Sequence, residues 1–211
     1  MNSMDLVTLF VIGVTSLVSF KAFNDRYFFD RFKFNIAGIE RGEQWRFFTS
    51  GVLHADLQHL FFNMFTLFFF ADEVIGSFNS VKFLIIYLAS MLGGSFLSYI
   101  INRNNYAYSA VGASGAVSGI IYSAILLDPS MRIYFGIPGW IFGIGYMIYS
   151  IIGMQRKADN IGHDAHIGGA ITGYLITLLY DYNIILDRPF VVGAMLLPII
   201  AVIILIKMNK V

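Results

Sequence analysis

The chain has 211 residues, 57% of them hydrophobic and 13% charged, with a formal net charge of +1 and no cysteine. Its mean hydropathy of +0.71 reflects more apolar side chains than one water-soluble core could enclose, as expected of an integral membrane protein. The charges are scattered rather than gathered into a basic stripe, so nucleic acid is not an expected partner, and without cysteine any chemistry falls to serine, histidine and carboxylates.

Met1-Asn2-Ser3-Met4-Asp5 lacks the positive segment of a signal peptide, and no small-residue cleavage site follows the apolar run Leu6 to Phe23, which is expected to be a retained span. Further apolar stretches of about the length a bilayer requires cover residues 56–77, 81–101, 110–127, 134–153, 165–182 and 190–206. Together they predict seven transmembrane helices in one membrane domain over residues 1–211. Asp128-Pro129-Ser130 closes the fourth stretch, the polar segment Gln155 to Asn160 separates the fifth from the sixth, and Asp187-Arg188-Pro189 precedes the seventh. The seventh contains Pro198 and has the weakest claim to a full span.

The one long connection, residues 24–53, mixes Arg26, Arg31, Lys33, Arg41 and Arg46 with Tyr27, Phe28, Phe29, Phe32, Phe34, Trp45 and Phe47. Charges beside aromatics suit the headgroup region, as in any interfacial loop, although a connection this long is more often functional than a short one. Alternating spans place the starts of the second, fourth and sixth stretches on one membrane face. Those starts carry His54 and His59, then Ser114, then His163 and His166, so the polar residues able to do chemistry gather at one side and at similar depth.

A serine hydroxyl is a poor nucleophile until a base takes its proton, and histidine does this near neutral pH from hydrogen-bond distance. The helices must therefore approach closely. Gly115 with Gly119, and Gly169 with Gly173, are small-xxx-small pairs that allow it, though such pairs are common and alone favour plain packing. His59 and Asn63 are four apart and project from one helical face. An asparagine within Phe61-Phe62-Asn63-Met64-Phe65 is costly unless an interhelical hydrogen bond satisfies its amide or an oxyanion uses it.

Four motifs stand in order along these spans: Trp45-Arg46; His54, His59 and Asn63 as His-x4-His-x3-Asn; Gly112-x-Ser114-Gly115; and Ala165-His166-x-x-Gly169. In them the chain resembles the rhomboid intramembrane serine proteases over most of its length. The resemblance implies an all-α polytopic membrane protein with a six-helix core over about residues 6–182 and a seventh, C-terminal transmembrane helix at 190–206. It implies Ser114 as nucleophile and His166 as general base with no catalytic acid, and an oxyanion hole from the Ser114 backbone N–H, His59 and Asn63. Supporting roles would fall to His54, Gly112, Gly115, Trp45 and Arg46. No metal or cofactor is implied; the expected partners are transmembrane protein substrates and the lipid bilayer. The expected location is the cell membrane, with the site opening to the extracytoplasmic side.

One position departs from the family pattern. Many members carry, four residues after the nucleophile, an aromatic that packs on the histidine ring; Ser118 stands there instead, so ring support is expected from elsewhere. His163 is read as an interfacial residue, and Asp164 as part of a solvated helix start, because adjacent helical positions face apart. Phe61, Phe62, Phe65, Phe68, Phe69 and Phe70 are read as packing and lipid contact.

Charge counting points the other way on orientation. With the N-terminus inside, the cytoplasmic connections hold only Lys82, Arg132 and Arg188 of the 14 Lys and Arg residues, and the positive-inside rule would invert the protein. Rival functions are an inactive relative that binds membrane proteins, disfavoured by the presence of both Ser114 and His166, and a haem or metal protein ligated by His54, His59, His163 and His166. The second lacks an HExxH motif, and its histidines cluster at one face.

Overall fold

The computed structural model describes residues 5–133, 135–156 and 161–208; Met1 to Met4, Tyr134 and Lys157 to Asn160, on which parts of the sequence parsing rest, lie outside the described residues. The chain is an all-α polytopic bundle built on helices α1 (Leu6–Asn24), α5 (Leu57–Ser77), α6 (Ser80–Asn102), α7 (Ser114–Leu127), α8 (Gly139–Arg156), α9 (His163–Tyr180) and α11 (Pro189–Lys207). By length and hydropathy, α1, α5, α6 and α11 are each able to cross a membrane. Local signals set the helix starts. Asp5 accepts the Val7 amide at 2.8 Å, Asp56 that of His59 at 2.8 Å and Asn79 that of Lys82 at 2.9 Å, each satisfying an N–H that the first turn leaves unpaired. The other Asp5 oxygen accepts the Ser80 hydroxyl at 2.8 Å, pinning the start of α1 to that of α6.

The long connection is more ordered than a plain interfacial loop. It folds into α2 (Arg26–Phe32), α3 (Ile36–Glu40), α4 (Arg46–Thr49) and a single 3-10 turn, Ser50–Val52. A short strand β1 (Phe34–Asn35) pairs antiparallel with β2 (Ser109–Ala110) beyond α6, so this segment is tied to the connection that leads into α7. That pairing, and the positive φ of 133° at Gly112, explain why α7 begins at Ser114 and not at residue 110. Beyond α7, β3 (Arg132–Ile133) pairs with β4 (Ile137–Pro138) across a turn with positive φ at Phe135 and Gly136, which delays α8 to Gly139. The short α10 (Asn183–Asp187) links α9 to α11, and α11 runs through Pro198 as one helix.

One apolar core extends from Val11 in α1 to Val202 in α11. At its centre stands α7, whose residues Gly115 to Leu126 are all buried, enclosed by α5, α6, α8 and α9. With 14 residues it is about 21 Å long, some 9 Å short of a bilayer's hydrocarbon thickness. Because protein surrounds it, α7 need not present a full lipid-spanning length.

Candidate active site

Glycines let α6, α7 and α9 approach backbone to backbone. A Cβ at Gly94 would lie 2.6 Å from the Ala165 carbonyl oxygen and 3.3 Å from the Gly115 Cα; at Gly169 or Gly173 it would overlap the carbonyl oxygen of Gly115 or Gly119. Since Gly169 opposes Gly115 and Gly173 opposes Gly119, α7 and α9 run parallel in a fixed register. Continued toward the helix starts, that register sets His166, three residues before Gly169, about 3 Å along the axis from Ser114, the residue before Gly115. Ser114 is the first residue of α7 and His166 lies in the first turn of α9; both are half-buried.

Gly112 is required twice over. Its φ of 133° is strained for any residue with a side chain, and a Cβ there would stand 2.7 Å from His59 Cε1, 2.9 Å from His59 Nε2 and 3.7 Å from Ser114 Oγ. The His59 ring and the Ser114 hydroxyl thus flank the same glycine. The Asn63 amide donates to the His59 carbonyl at 3.0 Å, one turn back on α5, a bond within its own helix and not the interhelical one weighed from the sequence.

His54 holds the segment before Ser114. Its Nε2 accepts the Ala113 amide at 3.3 Å, which leaves the proton of a neutral ring on Nδ1, and Nδ1 stands 2.9 Å from Ser19 Oγ. The Ser19 hydroxyl in turn donates to the Val52 carbonyl at 3.1 Å, while the Gly112 amide donates to the Ser50 carbonyl at 3.0 Å. Burial pushes the His54 pKa down, the neighbouring His59 acts in the same direction, and Asp56 opposes them more weakly. The His54 and His59 rings meet edge to face, with centroids 4.9 Å apart.

Arg46 is only 6% exposed: its guanidinium reaches the Glu43 carboxylate at 2.6 Å and the carbonyls of Asp30 and Lys33 at 3.0 and 2.7 Å, closing the first connection on itself. Trp45 beside it faces outward.

Two sequence expectations are corrected. Asp164 is buried, because the end of α6 and the chain before β2 fold over the start of α9; it accepts from Asn102 Nδ2 at 2.6 Å and from the Tyr108 hydroxyl at 3.0 Å. Burial raises the Tyr108 pKa, and the adjacent Asp164 charge raises it further. His163 is buried too and not interfacial: its ring meets Tyr149 and His166 edge to face, at 5.2 and 5.8 Å between centroids, where Gly153 leaves room for it.

Support for the His166 ring comes from α8. Tyr146 stacks on it with centroids 5.8 Å apart and planes 20° apart, and the Tyr146 hydroxyl stands 2.7 Å from Ser118 Oγ. Sequence reasoning missed Tyr146, Ser19, Asn102 and Tyr108. A serine in the apolar run of α1 signals that it needs a partner, but nothing in the spacing of α8 marks Tyr146. Among the described residues no group of three or more His, Cys, Asp or Glu side chains converges to hold a metal ion.

The family described as "Rhomboid domain" matches residues 41–183. RHOMBOID-like protein 12, mitochondrial, of Arabidopsis thaliana is 28% identical over 191 residues, covering 81% of this chain and 56% of that protein. Rhomboid protease GluP of Bacillus subtilis (strain 168) is 35% identical over 140 residues, covering 64% of this chain and 26% of that protein. Putative rhomboid protease YdcA of the same organism is 29% identical over 142 residues, covering 67% of this chain and 70% of that protein. The chain thus spans about half the length of the first relative and about a quarter of the second.

Proposed function

The chain belongs to the rhomboid family, and on that premise we propose that it is a serine endopeptidase that cleaves other membrane proteins within or beside their transmembrane helices. Ser114 is the nucleophile and His166 the general base. The observation that carries this reading is the Gly115–Gly169 and Gly119–Gly173 contact, which sets the starts of α7 and α9 side by side.

In the proposed reaction His166 takes the Ser114 hydroxyl proton as Oγ attacks the scissile carbonyl carbon. The carbonyl electron pair moves to oxygen, and that oxyanion is received by the Ser114 N–H, one of the donors a helix start leaves unpaired, together with the side chains of His59 and Asn63. Collapse of the intermediate breaks the C–N bond, and the leaving amine takes the proton from His166. Water, deprotonated by the same imidazole, then hydrolyses the acyl-enzyme and restores Ser114. His54, through the Ala113 amide, keeps the backbone that presents Ser114 in place. A substrate helix must unwind locally for its shielded carbonyl to be reached. It can approach between α5 and α8, which both pack on α7 but share no substantial contact among the described residues.

We place the site on the extracytoplasmic side of the cell membrane. The cations of the first connection that oppose this by count are partly committed locally: Arg26 and Lys33 pair with Asp30, and Arg46 with Glu43. A tag on the N-terminus protected from added protease in intact cells fits this orientation; one accessible from outside reverses it.

The decisive experiment is cleavage of a model transmembrane substrate by the purified protein in liposomes. Ser114→Ala and His166→Ala should each lower kcat at least about a thousandfold. Cleavage that persists in both variants, or a wild type that binds substrates without cutting them, overturns the reading.

A further inference from the structure

Ser118 stands one turn beyond Ser114, and its single hydroxyl proton has a determined direction. Ser118 Oγ is 2.7 Å from the Ser114 carbonyl oxygen, which can only accept, and 2.7 Å from the Tyr146 hydroxyl, which can donate. Ser118 therefore donates to Ser114, and Tyr146 donates to Ser118. The ring of the same tyrosine lies against His166, and Phe142, one turn earlier on α8, also stacks on it at 6.2 Å with planes 16° apart.

We propose that Tyr146 is the positioning residue of this site, fixing the His166 imidazole by its ring and the Ser114 backbone by its hydroxyl through Ser118. The proposal rests on the protease reading for its catalytic consequence, but the ring contact itself does not. Exchanging an aromatic for serine on α7 removes ring support from the nucleophile's own helix and at the same time supplies the acceptor that anchors a tyrosine from the neighbouring helix. The base is then held by a separate element, so the geometry of Ser114 and His166 depends on how α8 is seated. α8 is fastened from behind by α11: Trp140 meets Phe190 edge to face at 5.5 Å, and a Cβ at Gly143 would touch Met195 at 3.3 Å. From the front, the Tyr122 hydroxyl of α7 donates to the Gly143 carbonyl at 2.7 Å. Displacing α8 outward would carry Tyr146 off the imidazole and break its hydrogen bond to Ser118.

The test reads the imidazole directly and the reaction separately. The chain has four histidines, so ring-labelled protein gives few nuclear magnetic resonance signals, assignable through single His→Gln variants. The His166 ring protons should be displaced upfield by the Tyr146 ring, should relax toward ordinary positions in Tyr146→Leu, which keeps most of the volume, and should stay displaced in Tyr146→Phe. In the cleavage assay Tyr146→Leu should lower kcat about tenfold to a hundredfold with KM little changed, while Tyr146→Phe and Ser118→Ala, which keep the ring but lose its anchor, should fall between. His166 signals unmoved in Tyr146→Leu, or an unchanged kcat in a folded variant of an active wild type, overturn the proposal. Signals that respond as described in a wild type that cleaves nothing would support the ring contact and overturn the protease reading.

Discussion

The Tyr108 hydroxyl stands 3.0 Å from Asp164 Oδ2, joining residues 56 positions apart at the start of α9. Asp164 also accepts from Asn102 and from the Ala165 amide, and a carboxylate in a first turn is favoured by the helix dipole. Tyr108→Phe removes one hydrogen bond to a charged acceptor and should cost about 1.5–3 kcal/mol; Asp164→Ala, which strands both Asn102 and Tyr108, should cost more. Thermal unfolding in detergent measures both, and equal midpoints for wild type and Asp164→Ala would count against this anchor.

Gly169→Ala puts a methyl where the Gly115 carbonyl oxygen already lies. The helices must part, at about 1–3 kcal/mol, and cleavage should fall about a hundredfold as Ser114 and His166 separate. Gly145→Ala on α8, where nothing lies within 4 Å, should leave cleavage unchanged and stability equal or up to about 1 kcal/mol higher. Comparing kcat and unfolding midpoints of the two variants checks the argument; indistinguishable effects would refute it.

His54 gives the fold a pH dependence. Its pKa is lowered in the folded state, so the unfolded chain binds the proton first, and stability is highest above the ordinary histidine value near 6.5 and declines as pH falls below it. The limiting slope is about 1.4 kcal/mol per pH unit. Between about pH 7.5 and 5.5 the wild type should therefore lose more thermal stability than His54→Gln, which cannot titrate. A parallel decline in both proteins would show that another group is responsible.

Arg46→Lys is not a conservative change here. A planar fork reaches one carboxylate and two carbonyls at once, and an ammonium cannot satisfy all three. The expected result is faster proteolysis between residues 26 and 46 at unchanged bundle helicity. Equal digestion rates for the two proteins would mean that the connection is held by other contacts.

Much of this was legible in the sequence. Apolar length and breakers located every long helix to within a few residues, except where residues 110–113 and 135–138 lie outside the helix, and there the cause is strand pairing with partners far along the chain or beyond a turn. His59 and Asn63 were readable as neighbours because a four-residue spacing fixes a shared face. Asp164 and His163 were misread because their burial is decided by Tyr108 and Tyr149, which no helical spacing connects to them. Tyr146 was invisible for the same reason: Ser118 announced that something was missing from α7, and only packing reveals what replaces it.

The shortness of α7 has a further consequence. Hydrolysis of a peptide bond consumes a water molecule at every turnover, and hydrocarbon supplies none. Under the proposed reading, a central helix about 9 Å shorter than the bilayer core would give water a well through which to reach Ser114, its first residue. Bulk water can stand in that well while lipid still surrounds the bundle at the same depth. In the proposed reaction the same well makes membrane thickness a variable, since a thicker bilayer raises the lipid rim around a floor that stays where α7 begins.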